Sequence, residues 1–101
     1  FKVIITLQPI VGAGNKVLTD WEIRTVEEYG HINPAESYNF MRDKLNELET
    51  SCTGTADLTD VFDNETGLIY FDVGHMGDAG NRIIAEKIFN ISSPFIFDKQ
   101  E

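Results

Sequence analysis

Apolar residues occur in one nearly continuous run at the start of the chain and in two stripes further along it. Residues Phe1 to Leu7 carry few polar side chains, which is typical of a strand buried on both faces of a parallel sheet. The strand is expected to end at Gln8-Pro9, because proline has no N–H to donate to a sheet ladder. A loop is predicted to follow, at Gly12, Gly14 and Asn15.

A helix is predicted to begin at Asn33-Pro34 and to run to about Glu49. Asparagine suits the N-cap, proline suits the first helical position, and Glu36 places an acid in the first turn. Three- and four-residue spacing gives this helix a buried stripe, expected at Tyr38, Met41, Leu45 and Leu48. The side chains expected to face water are Arg42, Asp43, Lys44 and Glu47.

A second helix is predicted from a cap at Asp78 to about Asn90. Its expected inner face is Ile84, Ala85, Ile88 and Ile91. Beyond it, Pro94 to Phe97 is expected either to add a terminal strand or to pack on the surface.

Two further segments give mixed signals. Thr19 and Glu22 form a capping-box pattern, so a short helix or an irregular, lid-like connection is expected through Val26 and Tyr29. Residues Ala56 to Phe62 alternate partly and predict a short strand or an extended segment. The order strand, helix, strand, helix indicates an α/β fold.

Composition indicates one small globular domain. The chain has 101 residues, of which 42% are hydrophobic and 25% charged. A net charge of −9 disfavours nucleic acid and anionic membranes as partners, since both require clustered basic residues. Cys52 is the only cysteine, so an internal disulfide is impossible and a cysteine-based zinc site is disfavoured. No run approaches the ~20 apolar residues of a membrane span.

The clearest chemical signature is Asp72-Val73-Gly74-His75. A carboxylate at this offset can accept a hydrogen bond from one imidazole nitrogen, fixing the tautomer and stabilising the imidazolium. The other nitrogen can then take a proton from a hydroxyl nucleophile. Two members of a hydrolase triad are therefore predicted. No glycine-flanked nucleophile turn surrounds any of the serines considered as the third member, namely Ser37, Ser51, Ser92 and Ser93.

Other interpretations of these residues remain open. An acid before a helix often serves only as a cap, and a capped histidine at a helix entry also occurs in proteins without activity. Asp72, His75 and Asp78 are types that can ligate zinc or manganese, although capping is a sufficient role for Asp78. The aromatic residues that either line a substrate cleft or anchor the lid-like segment are Trp21, Tyr29 and His31.

Two short patterns carry little weight. Residues 12–16 faintly resemble a phosphate loop but lack its Gly-Lys-Ser/Thr ending, so a turn is predicted. Asn64-Glu65-Thr66 and Asn90-Ile91-Ser92 match the glycosylation sequon, which is frequent by chance. The compartment stays open, with a lean toward a secreted or cell-surface protein.

The Asp72-x-x-His75 pattern, followed by Gly80-Asn81 and a helix closing on Ile88, resembles the C-terminal end of the SGNH hydrolase family, also called GDSL esterases and lipases. Upstream segments are similar to the family's late central strand, its following helix and the extended segment before the catalytic turn, at Lys2 to Leu7, Asn33 to Glu49 and Asp57 to Phe62. The likeness covers nearly the whole chain but corresponds to only the second half of a family domain.

The resemblance implies a partial flavodoxin-like three-layer sandwich, with a short parallel sheet flanked by helices, over residues 1–101. It implies that Asp72 orients His75, and that His75 is the general base of a serine or acetyl esterase acting on a lipid or carbohydrate ester. No metal or organic cofactor is implied. The family's Gly-Asp-Ser nucleophile motif and its oxyanion-hole motifs are missing from this sequence. They are expected on an N-terminal half or a companion chain.

Two alternatives to a catalytic half remain. The chain could be a noncatalytic binding or interaction domain that kept the scaffold and lost the serine block. It could also be a fragment without a function of its own. Under the catalytic interpretation an apolar sheet edge is expected beside Val3 and Ile5.

Overall fold

The computed structural model describes residues 2–28 and 34–97. They form a small α/β unit with two strands and three helices. The elements in chain order are β1 (Ile4–Leu7), α1 (Asp20–Glu28), α2 (Pro34–Glu47), β2 (Gly54–Asp57) and α3 (Asp78–Ile96). The α/β prediction is confirmed at this level. Asn33, Tyr29 and His31, which entered the predictions above, lie outside the described residues.

The two strands pair in parallel, in the register Ile4 with Gly54 through Leu7 with Asp57. Within the described residues the sheet has only these strands, so each has one unpaired edge. The first strand is therefore not buried on both faces as predicted, because Ile5 is 37% exposed and Thr6 is also exposed. It ends before Gln8-Pro9, as proline chemistry predicts.

Helix α2 packs against both strands. The buried cluster at this contact contains Leu7, Ala13, Tyr38 and Leu45. Half of the predicted helix stripe is therefore confirmed. Met41 and Leu48 are instead 44% and 39% exposed. Met41 lies on a part of α2 that the two-stranded sheet does not cover, and Leu48 lies just past the end of the helix at Glu47.

Arg42 corrects a second expectation about α2, since its side chain does not simply face water. Its guanidinium donates to Asp57 Oδ2 at 2.7 Å, to Thr59 Oγ1 at 2.7 Å and to the carbonyl oxygen of Ala13 at 2.9 Å. A fourth bond reaches Asn39 on the same helix. One side chain thus ties α2 to the end of β2 and to the loop after β1.

A second apolar cluster lies beneath the start of α3. Its buried members are Val11, Phe62, Ile69 and Tyr70, and Ile83 and Ile84 of α3 pack against them. The Phe62 and Tyr70 rings pack edge to face, with centroids 5.6 Å apart and ring planes at 89°. This cluster holds α3 against the segment that contains Asp72 and His75.

Helix α3 differs from its prediction in three respects. Gly77, not Asp78, is its N-cap, and no side chain caps it. The helix continues past Asn90 to Ile96 with Pro94 inside it, so no terminal strand forms. Ala85 and Ile88 are exposed, because only the first turns of α3 rest on the second cluster. None of the helices in the described ranges is long and apolar enough to cross a membrane.

Candidate active site

The Asp72-His75 segment is a tight reversal of the chain. Tyr70 and Met76 form an isolated antiparallel bridge on either side of it. The Phe71 N–H donates to the His75 carbonyl oxygen at 2.8 Å, and the Asp72 N–H approaches the same oxygen at 3.4 Å. The reversal brings the two predicted side chains to the same end of one turn.

The Asp72 carboxylate holds the turn and the imidazole together. Its Oδ1 accepts the backbone N–H groups of Gly74 at 3.0 Å and His75 at 2.8 Å. His75 Nδ1 lies 2.8 Å from Oδ1 and 2.9 Å from Oδ2. The Gly74 N–H first and the imidazole second keep the pKa of Asp72 below its usual range. The carboxylate is therefore ionised near neutral pH and favours the tautomer with the proton on Nδ1.

His75 is placed at the surface with its second ring nitrogen available for chemistry. Its side chain is 86% exposed, and that of Asp72 is 52% exposed. In the tautomer that Asp72 favours, Nε2 carries a lone pair and can accept a proton. The capping role of Asp72 and the orienting role coexist in this geometry, because its two oxygens have enough acceptor sites for both.

A groove of about 380 Å³ runs beside His75, between the exposed side of β1 and the start of α3. It is lined by Thr6, Gln8, Pro9, Leu58, Gly74, His75, Met76, Asn81, Ile84 and Ile88. Its position follows from two bonds that tie the end of β1 to the turn. Gln8 Nε2 donates to the Gly74 carbonyl oxygen at 3.1 Å, and the Val11 N–H donates to the Val73 carbonyl oxygen at 3.0 Å. A substrate or a protein segment in this groove would contact the histidine.

The far side of the turn contacts helix α1, in the segment where a short helix or an irregular, lid-like connection was expected. The Thr19–Glu22 capping box is present, with the Thr19 N–H 2.9 Å from Glu22 Oε1 and the Glu22 N–H 3.3 Å from Thr19 Oγ1. Glu22 is also fully buried, and its other oxygen accepts the N–H groups of Ile69 and Tyr70. These contacts join residues 47 and 48 positions apart, and no local pattern predicts them.

The pKa of Glu22 reflects this environment. Burial by itself would raise it, but the ion pair with Lys16 at 2.8 Å and the three backbone donors outweigh burial and lower the pKa to about 2. Trp21 also anchors α1 to the turn, through a 3.0 Å bond from its indole N–H to the Phe71 carbonyl oxygen. Both roles considered for Trp21 have support, because it also lines a cavity of about 230 Å³ with Phe71 and Asp72.

No serine or cysteine is among the described residues that line the groove beside His75, and the hydroxyl group there belongs to Thr6. Ser92 lies in the C-terminal part of α3 and donates to the Ile88 carbonyl oxygen at 2.8 Å. Asp78 does not join the pair as a ligand, and residues 2–28 and 34–97 contain no group of three metal-binding side chains.

The loop that faintly resembled a phosphate loop is a turn, as predicted. Gly12 has a φ of 87°, which favours glycine over residues with a side chain. A methyl group at Gly14 would overlap the carbonyl oxygen of Thr59. These glycines let the loop after β1 lie close to the loop after β2. Backbone conformation and close packing therefore account for both glycines without a phosphate-binding role.

The chain was compared with protein-family models, with curated proteins and with solved structures, and no match was found in any of the three.

Proposed function

We propose that this chain supplies the acid and the base of a serine esterase of the SGNH type, which hydrolyses an ester of a lipid or a carbohydrate. The observation that carries the proposal is the contact of His75 Nδ1 with both oxygens of Asp72, at 2.8 and 2.9 Å. The groove beside the imidazole adds room for a substrate acyl group or for the segment that carries the serine.

In the proposed reaction His75 Nε2 takes the proton of a serine hydroxyl as its oxygen attacks the ester carbonyl. Asp72 stabilises the imidazolium that forms. The imidazolium then protonates the leaving alcohol, and an acyl-enzyme remains. Water, deprotonated by the same nitrogen, releases the acid and regenerates the serine. A base in this position contributes about 100- to 10,000-fold in rate.

The serine and the oxyanion hole must come from a segment other than the described residues. The unpaired edge that β1 has among the described residues supports such a completion, because two strands alone are marginally stable. Thr6 of β1 is exposed and lines the groove beside His75, so the strand with this edge adjoins the groove. We propose that the completing segment extends the sheet from β1.

The proposal is tested by purifying the chain together with any proteins that copurify with it. The sample is treated with a fluorophosphonate probe, and the labelled protein is identified by denaturing intact mass spectrometry. Covalent label is expected on a serine outside this chain, and ester hydrolysis is expected to fall about 1,000-fold or more in His75→Ala and Asp72→Asn. Asp43→Asn is the control for the loss of a carboxylate, since Asp43 is exposed on α2 and does not line the groove. Full activity in both turn variants would refute the assignment.

A noncatalytic binding domain built on the same scaffold is the second candidate. It is favoured by one observation, the lack of a serine or cysteine among the described residues that line the groove. Under this alternative no protein in the preparation reacts with the probe, and His75→Ala leaves ligand or partner binding intact. The label and the substitution thus separate the two functions.

A further inference from the structure

Two consecutive residues of helix α1, Trp21 and Glu22, contact residues 69–71, the segment that leads into Asp72. The indole N–H of Trp21 donates to the Phe71 carbonyl oxygen at 3.0 Å. Oε2 of Glu22 accepts the N–H groups of Ile69 at 3.0 Å and Tyr70 at 2.9 Å. Backbone groups of three consecutive residues, Ile69, Tyr70 and Phe71, are therefore held by one turn of α1.

The Glu22 end of this contact is rigid because it is buried and fully bonded. Glu22 is 0% exposed, and its Oε1 accepts from Lys16 Nζ at 2.8 Å and from the Thr19 N–H at 2.9 Å. Within the described residues no buried polar side-chain atom lacks a partner. Trp21, in contrast, is 51% exposed, so its indole can be altered without opening the core.

Among the described residues, the Asp72 carboxylate accepts hydrogen bonds from Gly74 and His75, which lie at most three positions away within the turn. The orientation of the pair therefore depends on the backbone on either side. One side is Phe71, whose N–H donates to the His75 carbonyl oxygen at 2.8 Å while its own carbonyl oxygen accepts from Trp21.

We propose that α1 is a brace for the Asp72–His75 pair and that Trp21 is a positioning residue. Its indole N–H fixes the Phe71–Asp72 peptide, and that peptide aims the carboxylate at Nδ1 of the imidazole. Glu22 fixes the preceding two residues. The significance of this brace for catalysis rests on the proposed esterase function, whereas the brace itself is a property of the chain alone.

Imidazole ¹⁵N NMR on the whole chain tests the brace without any need for activity. At about pH 8.5, above the usual histidine pKa of about 6.5, the two ring nitrogens report which tautomer is present. The wild-type His75 is expected to be mainly protonated on Nδ1. Trp21→Phe, which keeps an aromatic ring and removes the N–H, is expected to shift His75 toward the Nε2-protonated tautomer. It is also expected to speed exchange of the Phe71 amide by about three- to tenfold.

Ile23→Ala is the matched control, because Ile23 lies on the same helix and is 44% exposed. It is expected to leave the His75 tautomer and the Phe71 exchange rate unchanged. Trp21→Leu is the second variant, used in place of Trp21→Phe if the latter does not give a folded amide spectrum. It also removes the N–H donor, and the same shifts are expected.

The outcomes separate this inference from the proposed function. Suppose that wild-type His75 is mainly protonated on Nδ1 and that the Trp21 variants change neither the tautomer nor the exchange rate. The proposed positioning role of Trp21 is then wrong, whereas the Asp72–His75 contact is supported. If the wild-type imidazole shows no preference for Nδ1–H, the Asp72–His75 contact does not persist in solution. That result overturns the proposed function and the brace together.

Discussion

At the scale of single residues, Glu22 is a buried carboxylate that accepts hydrogen bonds from four different residues. Its carboxylate joins the start of α1 to the segment before Asp72, and all of its partners are donors. A carboxylate whose pKa lies below the unfolded value stabilises the fold above the unfolded pKa. That contribution is lost as the pH falls through the folded pKa.

This residue therefore predicts a pH-dependent stability between about 4.5 and about 2, the ordinary and the folded pKa of Glu22. The difference corresponds to roughly 3 kcal/mol that the wild type gains from this group near neutral pH. Glu22→Gln is expected to remove this pH-dependent contribution, because the amide does not titrate. The measurement is the free energy of unfolding in urea at several pH values from about 6 to about 2.5.

Asp43→Asn is the control for the change in net charge, since Asp43 is exposed on α2. It is expected to keep the wild-type pH profile. An unchanged profile in Glu22→Gln would show that the acid-sensitive stability comes from other carboxylates, such as Asp57 or Asp72.

At the scale of the elements, Arg42 joins α2 to both loops at the carboxyl ends of the strands. The side chains in this ion pair are 28% and 34% exposed, so solvent screens the charges only in part. Burial by itself would raise the pKa of Asp57, but the hydrogen bonds from Thr59 and Arg42 outweigh burial and keep this pKa below its usual range. Replacing the guanidinium leaves Asp57, Thr59 and the Ala13 carbonyl oxygen without a shared donor.

Arg42→Met is therefore expected to lower the free energy of unfolding by about 1–3 kcal/mol. Arg42→Lys is expected to lie between this variant and the wild type, because an ammonium group keeps the charge but not the forked geometry. Lys44→Met is the control on the same helix, where the pair with Glu47 is exposed and 3.4 Å long. Its expected effect is below about 0.5 kcal/mol. Equal losses for Arg42→Met and Lys44→Met would contradict this role.

The elements also show which features local sequence can reveal. The capping box and the Asp72–His75 contact each join residues three positions apart, and both were predictable from spacing. The role of Arg42 was not, because its partners at Asp57 and Thr59 are 15 and 17 positions away and depend on how α2 meets the sheet. The predicted inner face of α3 was wrong in part for the same reason. Residue spacing identifies the apolar face of a helix, but it does not show how much of that face another element covers.

At the scale of the whole molecule, the two-stranded sheet sets the main contrast between sequence and structure. The run before Gln8 has the composition of a central strand, yet β1 has one unpaired edge and Ile5 is 37% exposed. The apolar composition of the strand shows that it is suited to a buried position. The exposure of its side chains depends on which neighbouring elements are present in this structure. Among the described residues β1 has an open edge; Ile5 on this strand is exposed, and Val3, just before it, is half-buried. The open edge supports the proposal that another segment extends the sheet.

The unpaired edge of β1 predicts an alternating pattern of amide protection. The carbonyl oxygens of Val3 and Leu7 accept bonds from the β2 side, so the backbone groups of Ile5 point the same way and those of Thr6 point outward. In the isolated chain the Ile5 and Leu7 amides are expected to exchange at least about tenfold more slowly than the Thr6 amide. Hydrogen exchange followed by NMR at two protein concentrations measures this. Equal protection of Thr6 at the lower concentration would contradict an open edge, whereas protection of Thr6 that rises with concentration would show a second copy pairing there. Thr6→Pro should abolish that rise and leave Leu7 protected, because only an outward N–H is lost.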